Sequence, residues 1–144
     1  MIKLKKFREF WEQTAEKIPE LTETMAVTVD ENMAKKILSL KLGSTVLFWL
    51  PPSVEGNGVH VDAFEAKHLC VVFVMEKYDP SRKECIDVLE STQEIMEKLL
   101  NEILSSQWYG CRTLGLADLK ISILPETKFF AGFAGWSMAF NATE

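Results

Sequence analysis

The sequence predicts an α+β fold in which a mostly antiparallel or mixed sheet is packed by an N-terminal helix and one long helix, at about residues 82–105. Two stretches predict the helices, because apolar residues recur there at steps of three and four. Short runs rich in Val, Ile and Phe predict the strands of the sheet.

Residues 3–18 are predicted to form the first helix, which Pro19 ends because proline cannot continue the hydrogen-bond ladder. Charged residues fill one side of this helix, as is typical of a surface helix. We expect the other side to pack on the sheet rather than to stack against nucleic-acid bases. That apolar and mostly aromatic side consists of Phe7, Phe10, Trp11, Thr14 and Ile18.

Residues 25–29 alternate between apolar residues and threonine, which predicts a short strand. Asp30 can then cap a short helix over residues 31–39. The end of this region also fits extended structure, so residues 31–42 are open to either helix or strand. Gly43 ends the element in both cases.

The central strand of the sheet is predicted within residues 67–77, because the run LCVVFVM is apolar on both faces. A strand over residues 45–50 precedes it and ends at a proline pair, which offers no backbone donor. The composition of residues 51–58, PPSVEGNG, predicts a loop, and residues 59–64 fit a short edge strand.

The long helix begins after Pro80, where Ser81 and Glu84 fit a capping box. In that motif each side chain accepts a hydrogen bond from a free backbone N–H of the other residue. An apolar stripe over roughly six turns is predicted to face the sheet. Its members are Cys85, Ile86, Leu89, Met96, Leu99, Leu100, Ile103 and Leu104.

Two further strands are predicted near the end of the sequence, one ending at Pro125 and one over residues 133–140. Only a few residues separate them, so they can pair as a hairpin. One face of the last strand carries only small residues, Gly135, Ser137 and Ala139. Small side chains of this kind let a neighbouring backbone or helix approach closely.

The chain has 144 residues, a common size for one domain, and residues 1–144 are predicted to form a single domain. The net charge of -5 argues against nucleic acid as the main partner, because phosphate binding requires concentrated Lys and Arg. The one basic cluster, Lys3, Lys5, Lys6 and Arg8, is interpreted as a solvated first helical turn. No stretch approaches the ~20 apolar residues that span a bilayer, and no signal peptide is recognised. We therefore expect a cytoplasmic protein without a membrane partner.

Residues able to support catalysis or metal binding are few. The two histidines, His60 and His68, lack further ligands at a spacing typical of zinc sites. His60 and Asp62 would point the same way on a strand. An unrecognised enzyme site around His60, Asp62 and His68 is therefore a hypothesis, but the least favoured one. Cys70 lies in an apolar run, where burial would raise the pKa of its thiol and make it inert. We assign no catalytic residue, metal ligand or cofactor.

Aromatic residues near loops and strand ends indicate candidate contact residues, because aromatic anchors are enriched at interfaces. Phe129 and Phe130, in a loop between strands, are the first candidates for an interface, together with Pro51 and Pro52. A candidate pocket between the long helix and the sheet would be lined by Trp49, Phe73 and Trp136.

Three segments of the chain resemble a family of phage proteins. They are VLFWLPP at residues 46–52, the strand, turn and helix at residues 68–100, and AGWSMAFNAT at residues 134–143. In these segments the chain is similar to phage tail terminator or tail completion proteins, which come from phage-like elements of bacterial genomes. The resemblance implies an α/β or α+β subunit that assembles as a ring at the end of a tail tube, and hence a location in the virion. It brings no catalytic residues.

The leading hypothesis is therefore a non-enzymatic structural or assembly subunit whose partners are copies of itself and other tail proteins. The sheet edges and the segments 51–58 and 125–133 would then form the contacts. An alternative is a module that binds a small ligand or a peptide in the candidate pocket. A hydrolase-type enzyme with an unrecognised site is the third hypothesis.

Overall fold

The computed structural model describes residues 2–28, 31–57, 65–105, 120–128 and 132–142. Its helices are α1 (Leu4–Glu16), α2 (Glu31–Ser39) and α3 (Cys85–Leu104). Its strands are β1 (Glu23–Ala26), β2 (Thr45–Trp49), β3 (Ser53–Asn57), β4 (Glu65–Lys77), β5 (Ile121–Glu126) and β6 (Phe133–Ala142). The predicted α+β class, with an N-terminal helix and one long helix, is confirmed.

The strands form one sheet in the order β1-β2-β4-β6-β5, and β3 pairs with β4 outside this path. β1 and β2 run parallel and the other pairs are antiparallel, which confirms the predicted mixed sheet and the final hairpin. Parallel neighbours require a crossover connection, and α2 provides it. The region left open at residues 31–42 therefore contains a helix. The single domain over residues 1–144 stays a prediction.

β4 is the central strand, as its apolar run predicts. On one side it pairs with β2 and then with β3, and on the other side residues 68–77 pair with β6. Its side chains enter the two faces of the sheet in turn, because successive residues of a strand point to opposite sides. Cys70, Val72 and Val74 enter one core cluster, Met75 enters the other, and all four are fully buried.

The helices cover the two faces of the sheet unequally. α1 and α3 pack through Trp11 and Leu99 on the face that carries Val72, which we call the two-helix face. α2 packs through Met33 on the opposite face, which carries Phe73 and which we call the α2 face. α1 and α3 have 13 and 20 residues, whereas α2 has 9, so the α2 face has less helix to cover it.

The aromatic side of α1 packs on the sheet, as predicted. Phe7 and Trp11 are completely buried. The ring of Phe7 meets the rings of Trp11 and Trp49 edge-on, at centroid distances of 5.6 and 5.7 Å. Pairs in this geometry each stabilise a fold by about 1 kcal/mol beyond the burial of their area. These rings are therefore core residues.

The predicted apolar stripe of α3 is only partly correct. Met96, Leu99 and Ile103 are buried as predicted, but Ile86 is 55% exposed and Leu104 is 37% exposed. The buried residues recur at steps of three and four along one side of the helix, and Ile86 falls outside that series. Three residues of this side were absent from the predicted stripe: Val88, Thr92 and Ile95.

The predicted capping box of α3 is wrong. Glu84 occupies the N-cap position, and no side-chain hydrogen bond caps the helix there. Ser81 makes its hydrogen bonds to Asp79 instead: its Oγ and its backbone N–H both donate to Asp79 Oδ1, at 2.8 and 3.0 Å. An Asp side chain often bonds the backbone two residues on in this way. These bonds from Ser81 also lower the pKa of the Asp79 carboxyl group.

The predicted loop over residues 51–58 is largely a strand. Ser53–Asn57 forms β3, which pairs antiparallel with β4. A long neighbouring strand offers backbone partners whatever the local composition, so this pairing outweighs the Gly and Asn that favour turns. Pro51 and Pro52 lie between β2 and β3. The edge strand predicted at residues 59–64 lies outside the described residues.

Gly135 lies where β6 passes close to β4. A Cβ on this residue would overlap the backbone oxygen of Val74 and would lie 2.9 Å from the Cα of Met75. The small residue at this position therefore permits a close backbone approach, as the sequence predicts.

We expect Gly135→Ala to lower the free energy of unfolding by about 3 kcal/mol, because backbone atoms cannot move aside as a flexible side chain can. Gly43→Ala is the comparison variant. Gly43 has a φ of +87° and no heavy atom within 4 Å of an added Cβ. Its substitution should cost only about 1 kcal/mol of backbone strain. Urea denaturation, followed by tryptophan fluorescence, measures the free energy of unfolding of both variants. An equal loss of free energy in the two variants would contradict the predicted clash.

Candidate interaction surfaces

The three residues of the predicted pocket do not lie together. Trp49 and Trp136 belong to the two-helix face, whereas Phe73 lies on the α2 face. The register explains this separation, because Trp49 pairs with Val72 and the next residue along β4, Phe73, points to the opposite side. The structure therefore does not form the pocket that these three residues would line.

The two tryptophans make structural contacts instead. The indole Nε1–H of Trp136 donates to the backbone oxygen of Leu89 at 2.9 Å, which ties α3 to β6. Buried indole N–H groups usually find such an acceptor. Trp49 is 4% exposed, and its ring packs on Phe7.

Of the predicted interface residues, the structure describes only the proline pair. Pro51 is exposed and Pro52 is half-buried. Phe129 and Phe130 lie outside the described residues. Pro51 also lines a groove that the sequence did not predict.

This groove, with a volume of about 560 Å³, follows the outer edge of β1. α1 forms one wall, which includes Lys5 and Arg8, and α2 forms the other wall, which includes Asn32 and Lys36. Side chains from both faces of β1 line the groove, so it follows the edge of the strand rather than one face. We call it the β1 groove.

The β1 groove is positively charged, unlike the chain as a whole. Lys5, Arg8 and Lys36 line it, with Glu12 as the one carboxylate among its described lining residues. Arg8 Nε donates to Glu12 Oε1 at 3.0 Å, so these two charges largely offset each other. Lys5 and Lys36 form no ion pair within the described ranges. The chain as a whole carries a net charge of -5, but the groove has a local excess of positive charge. This excess favours an anionic occupant.

The sequence does not predict the β1 groove, although some residues of the groove stand out in its pattern. Lys5 and Arg8 belong to the basic cluster that was interpreted as a solvated helical turn, and both are exposed. Lys36 lies on a different helix, so only the packing of α1 and α2 around β1 brings the three cations together. The clustering of Lys and Arg near the start was the only signal that the sequence offered.

The α2 face leaves apolar side chains exposed on the side of β4 and β5. Leu69 on β4 is 45% exposed and Leu124 on β5 is 56% exposed. Leu124 pairs with Ser137, which pairs in turn with Phe73, so Leu124 shares the face of Phe73. Val71, between Leu69 and Phe73 on this face, is half-buried. We call Leu69, Val71 and Leu124 the apolar patch.

Groups with chemical reactivity are sparse in the described part of the chain. No group of three His, Cys, Asp or Glu side chains is placed there so that it could hold a metal ion. His68 is buried in β4, whereas His60 and Asp62 lie outside the described residues. Burial raises the pKa of the Cys70 thiol to about 12, which confirms the predicted direction.

No protein-family model matches the chain, and no curated protein matches it. The resemblance to phage tail terminators, which depends on three short segments, therefore stays a prediction. Among the helices that the structure describes, none is both long enough and apolar enough to cross a membrane.

We expect iodoacetamide at pH 9 to modify Cys70 only after the protein unfolds. At that pH about half of unfolded thiols are ionised, whereas on the order of one in a thousand folded Cys70 thiols would be, given its pKa of about 12. Ionisation favours the unfolded chain, so the stability that the neutral thiol contributes should be complete below pH 9 and fall as the pH rises toward 12.

Peptide mapping by mass spectrometry gives the rate at Cys70 with and without urea. Half-buried Cys85 on α3 is the internal control for reagent activity. Equal rates at Cys70 and Cys85 in the folded protein would contradict the predicted protection.

Proposed function

We propose that this chain is a non-enzymatic assembly subunit, similar to a phage tail terminator, that associates with copies of itself and with other tail proteins. The observation that carries the proposal is the apolar patch. Leu69 and Leu124 expose 45% and 56% of their surface on one face of a sheet. Large apolar side chains left exposed on one face of a sheet are a feature of protein–protein contact sites.

The surroundings of Leu124 support an interface rather than an ordinary solvent-facing strand. Its neighbours on the same face of β5 are Ser122 and Glu126, and Glu126 Oε1 accepts a hydrogen bond from Ser137 Oγ at 2.9 Å. An exposed sheet face normally carries polar side chains throughout. An apolar centre within a polar rim is the usual arrangement of a contact surface.

The two ends of the sheet support a ring rather than a two-fold dimer. The β1 end carries the basic groove, whereas Leu124 lies on the β5 end, so the two ends offer different surfaces. Contacts between unlike surfaces of identical subunits are head-to-tail, and they close into a ring when the rotation permits. This is the assembly that the family resemblance implies.

The interior supports a non-enzymatic role. The described strand positions that point inward are mostly apolar, and the buried polar residue Thr92 is used structurally, since its Oγ1 donates to the backbone oxygen of Val88 at 2.7 Å. The Cys70 thiol stays neutral at physiological pH because its pKa is about 12. The proposal therefore assigns contacts, not chemistry, to this chain.

Sedimentation velocity and negative-stain electron microscopy of the purified chain test the proposal. We expect concentration-dependent assemblies larger than a dimer. Leu124→Lys should weaken this association at least about tenfold, because an ammonium group would have to be buried in the contact. Ile86→Lys is the matched control, since Ile86 is 55% exposed but lies on α3, over the other face.

Two results would overturn the proposed function. One is a wild-type chain that remains a monomer up to millimolar concentration at both low and high salt. The other is a Leu124→Lys variant that assembles as well as the Ile86→Lys control.

A further inference from the structure

We infer that the β1 groove binds an extended acidic peptide segment, which adds to the sheet as a strand next to β1. This goes beyond the proposed function, because a chain that never formed a ring could still bind such a segment. Strand addition is a common mode of peptide recognition, in which main-chain hydrogen bonds provide affinity and side-chain pockets provide specificity.

The outer edge of β1 pairs with none of the described strands, and its backbone groups face the groove. β1 lies at one end of the sheet order and pairs with β2 in parallel. The N–H of Val27, just after β1, donates to the backbone oxygen of Trp49 at 2.8 Å, in register with the ladder between the two strands. In a parallel ladder, both backbone groups of one residue point to the same neighbour and those of the next residue point away. Met25 and Val27 therefore point to β2, and the N–H and C=O groups of Thr24 and Ala26 point into the groove.

The walls of the groove suit an extended chain. Thr24 and Ala26 line it from the side of α1, and Met25 lines it from the side of α2. A strand placed along β1 would alternate its side chains between the same two sides. Leu4 on α1 and Met33 on α2 offer apolar contact to those side chains. The volume of about 560 Å³ is within the range of ligand sites.

The charge of the groove determines which peptide it favours. Lys5 and Lys36 face it from opposite walls, and neither forms an ion pair with the residues that the structure describes. α1 begins beside the groove at Leu4, with no acidic residue in its first turn. The positive end of the helix dipole therefore adds to the field of the two lysines. An acidic segment gains from this field and a basic one is repelled.

Fluorescence anisotropy with a labelled eight-residue peptide of alternating Val and Glu tests the inference at protein concentrations where the chain is monomeric. We expect saturable binding that weakens with added salt, and no binding of the matching peptide of Val and Lys. The double variant Lys5→Glu with Lys36→Glu should raise the Kd at least about tenfold. Lys120→Glu with Lys128→Glu, at the opposite edge beside β5, changes the net charge equally and should alter the Kd less than about twofold.

Two N-methylated versions of the Val–Glu peptide test strand addition without changing the protein. Each is methylated at alternate residues, so that one version loses the N–H groups that face β1 and the other loses those that face away. One version should lose binding and the other should keep it. Equal binding by both would overturn strand addition.

Other outcomes would overturn the acidic-peptide assignment. One is failure of the wild-type chain to bind the Val–Glu peptide. The other is an equal rise in the Kd of the two double lysine variants. A single-stranded oligonucleotide of equal charge that displaced the peptide at lower concentration would identify a general polyanion site instead. Because the assay uses monomeric protein, each result is independent of whether the chain forms rings.

Discussion

The pairing of β4 with three other strands is the interaction on which the rest of the structure depends. Its 13 residues provide the ladder for β2, β3 and β6, and its side chains enter both core clusters. Fully burying one aliphatic side chain contributes roughly 1.5–3 kcal/mol, and Val72, Val74 and Met75 are all fully buried. Residues 70–75, in the middle of this strand, are apolar on both faces, because a polar side chain buried there would cost free energy unless it found a partner.

The crossover between β1 and β2 explains where the surfaces of the molecule arise. α2 connects these parallel neighbours through short links, so it must lie over them. It therefore does not extend to β5 at the other end of the sheet, where Leu124 stays exposed. The same placement brings Lys36 opposite Lys5 across the edge of β1. One connection thus produces both the apolar patch and the basic groove.

These two surfaces offer different kinds of contact. The apolar patch offers burial without strict direction, whereas the β1 groove combines backbone groups of defined spacing with a charge opposite to that of the whole chain. Apolar burial provides most of the free energy of association, and charge complementarity selects the partner. Because the groove lies at the outer edge of β1 and the apolar patch on β4 and β5, both can be occupied at the same time.

The sequence by itself determined the elements whose signals are local. The periodicity of α1 and α3, the doubly apolar run of β4 and the small residue at Gly135 all predicted their structural roles, because each reflects the immediate backbone geometry. Tertiary structure alone decided which segments meet. β3 forms despite turn-like composition because β4 lies beside it, and Phe73 is separated from Trp49 by the strand register. The β1 groove likewise exists only because two helices distant in sequence pack around one edge, and no local pattern encodes that juxtaposition.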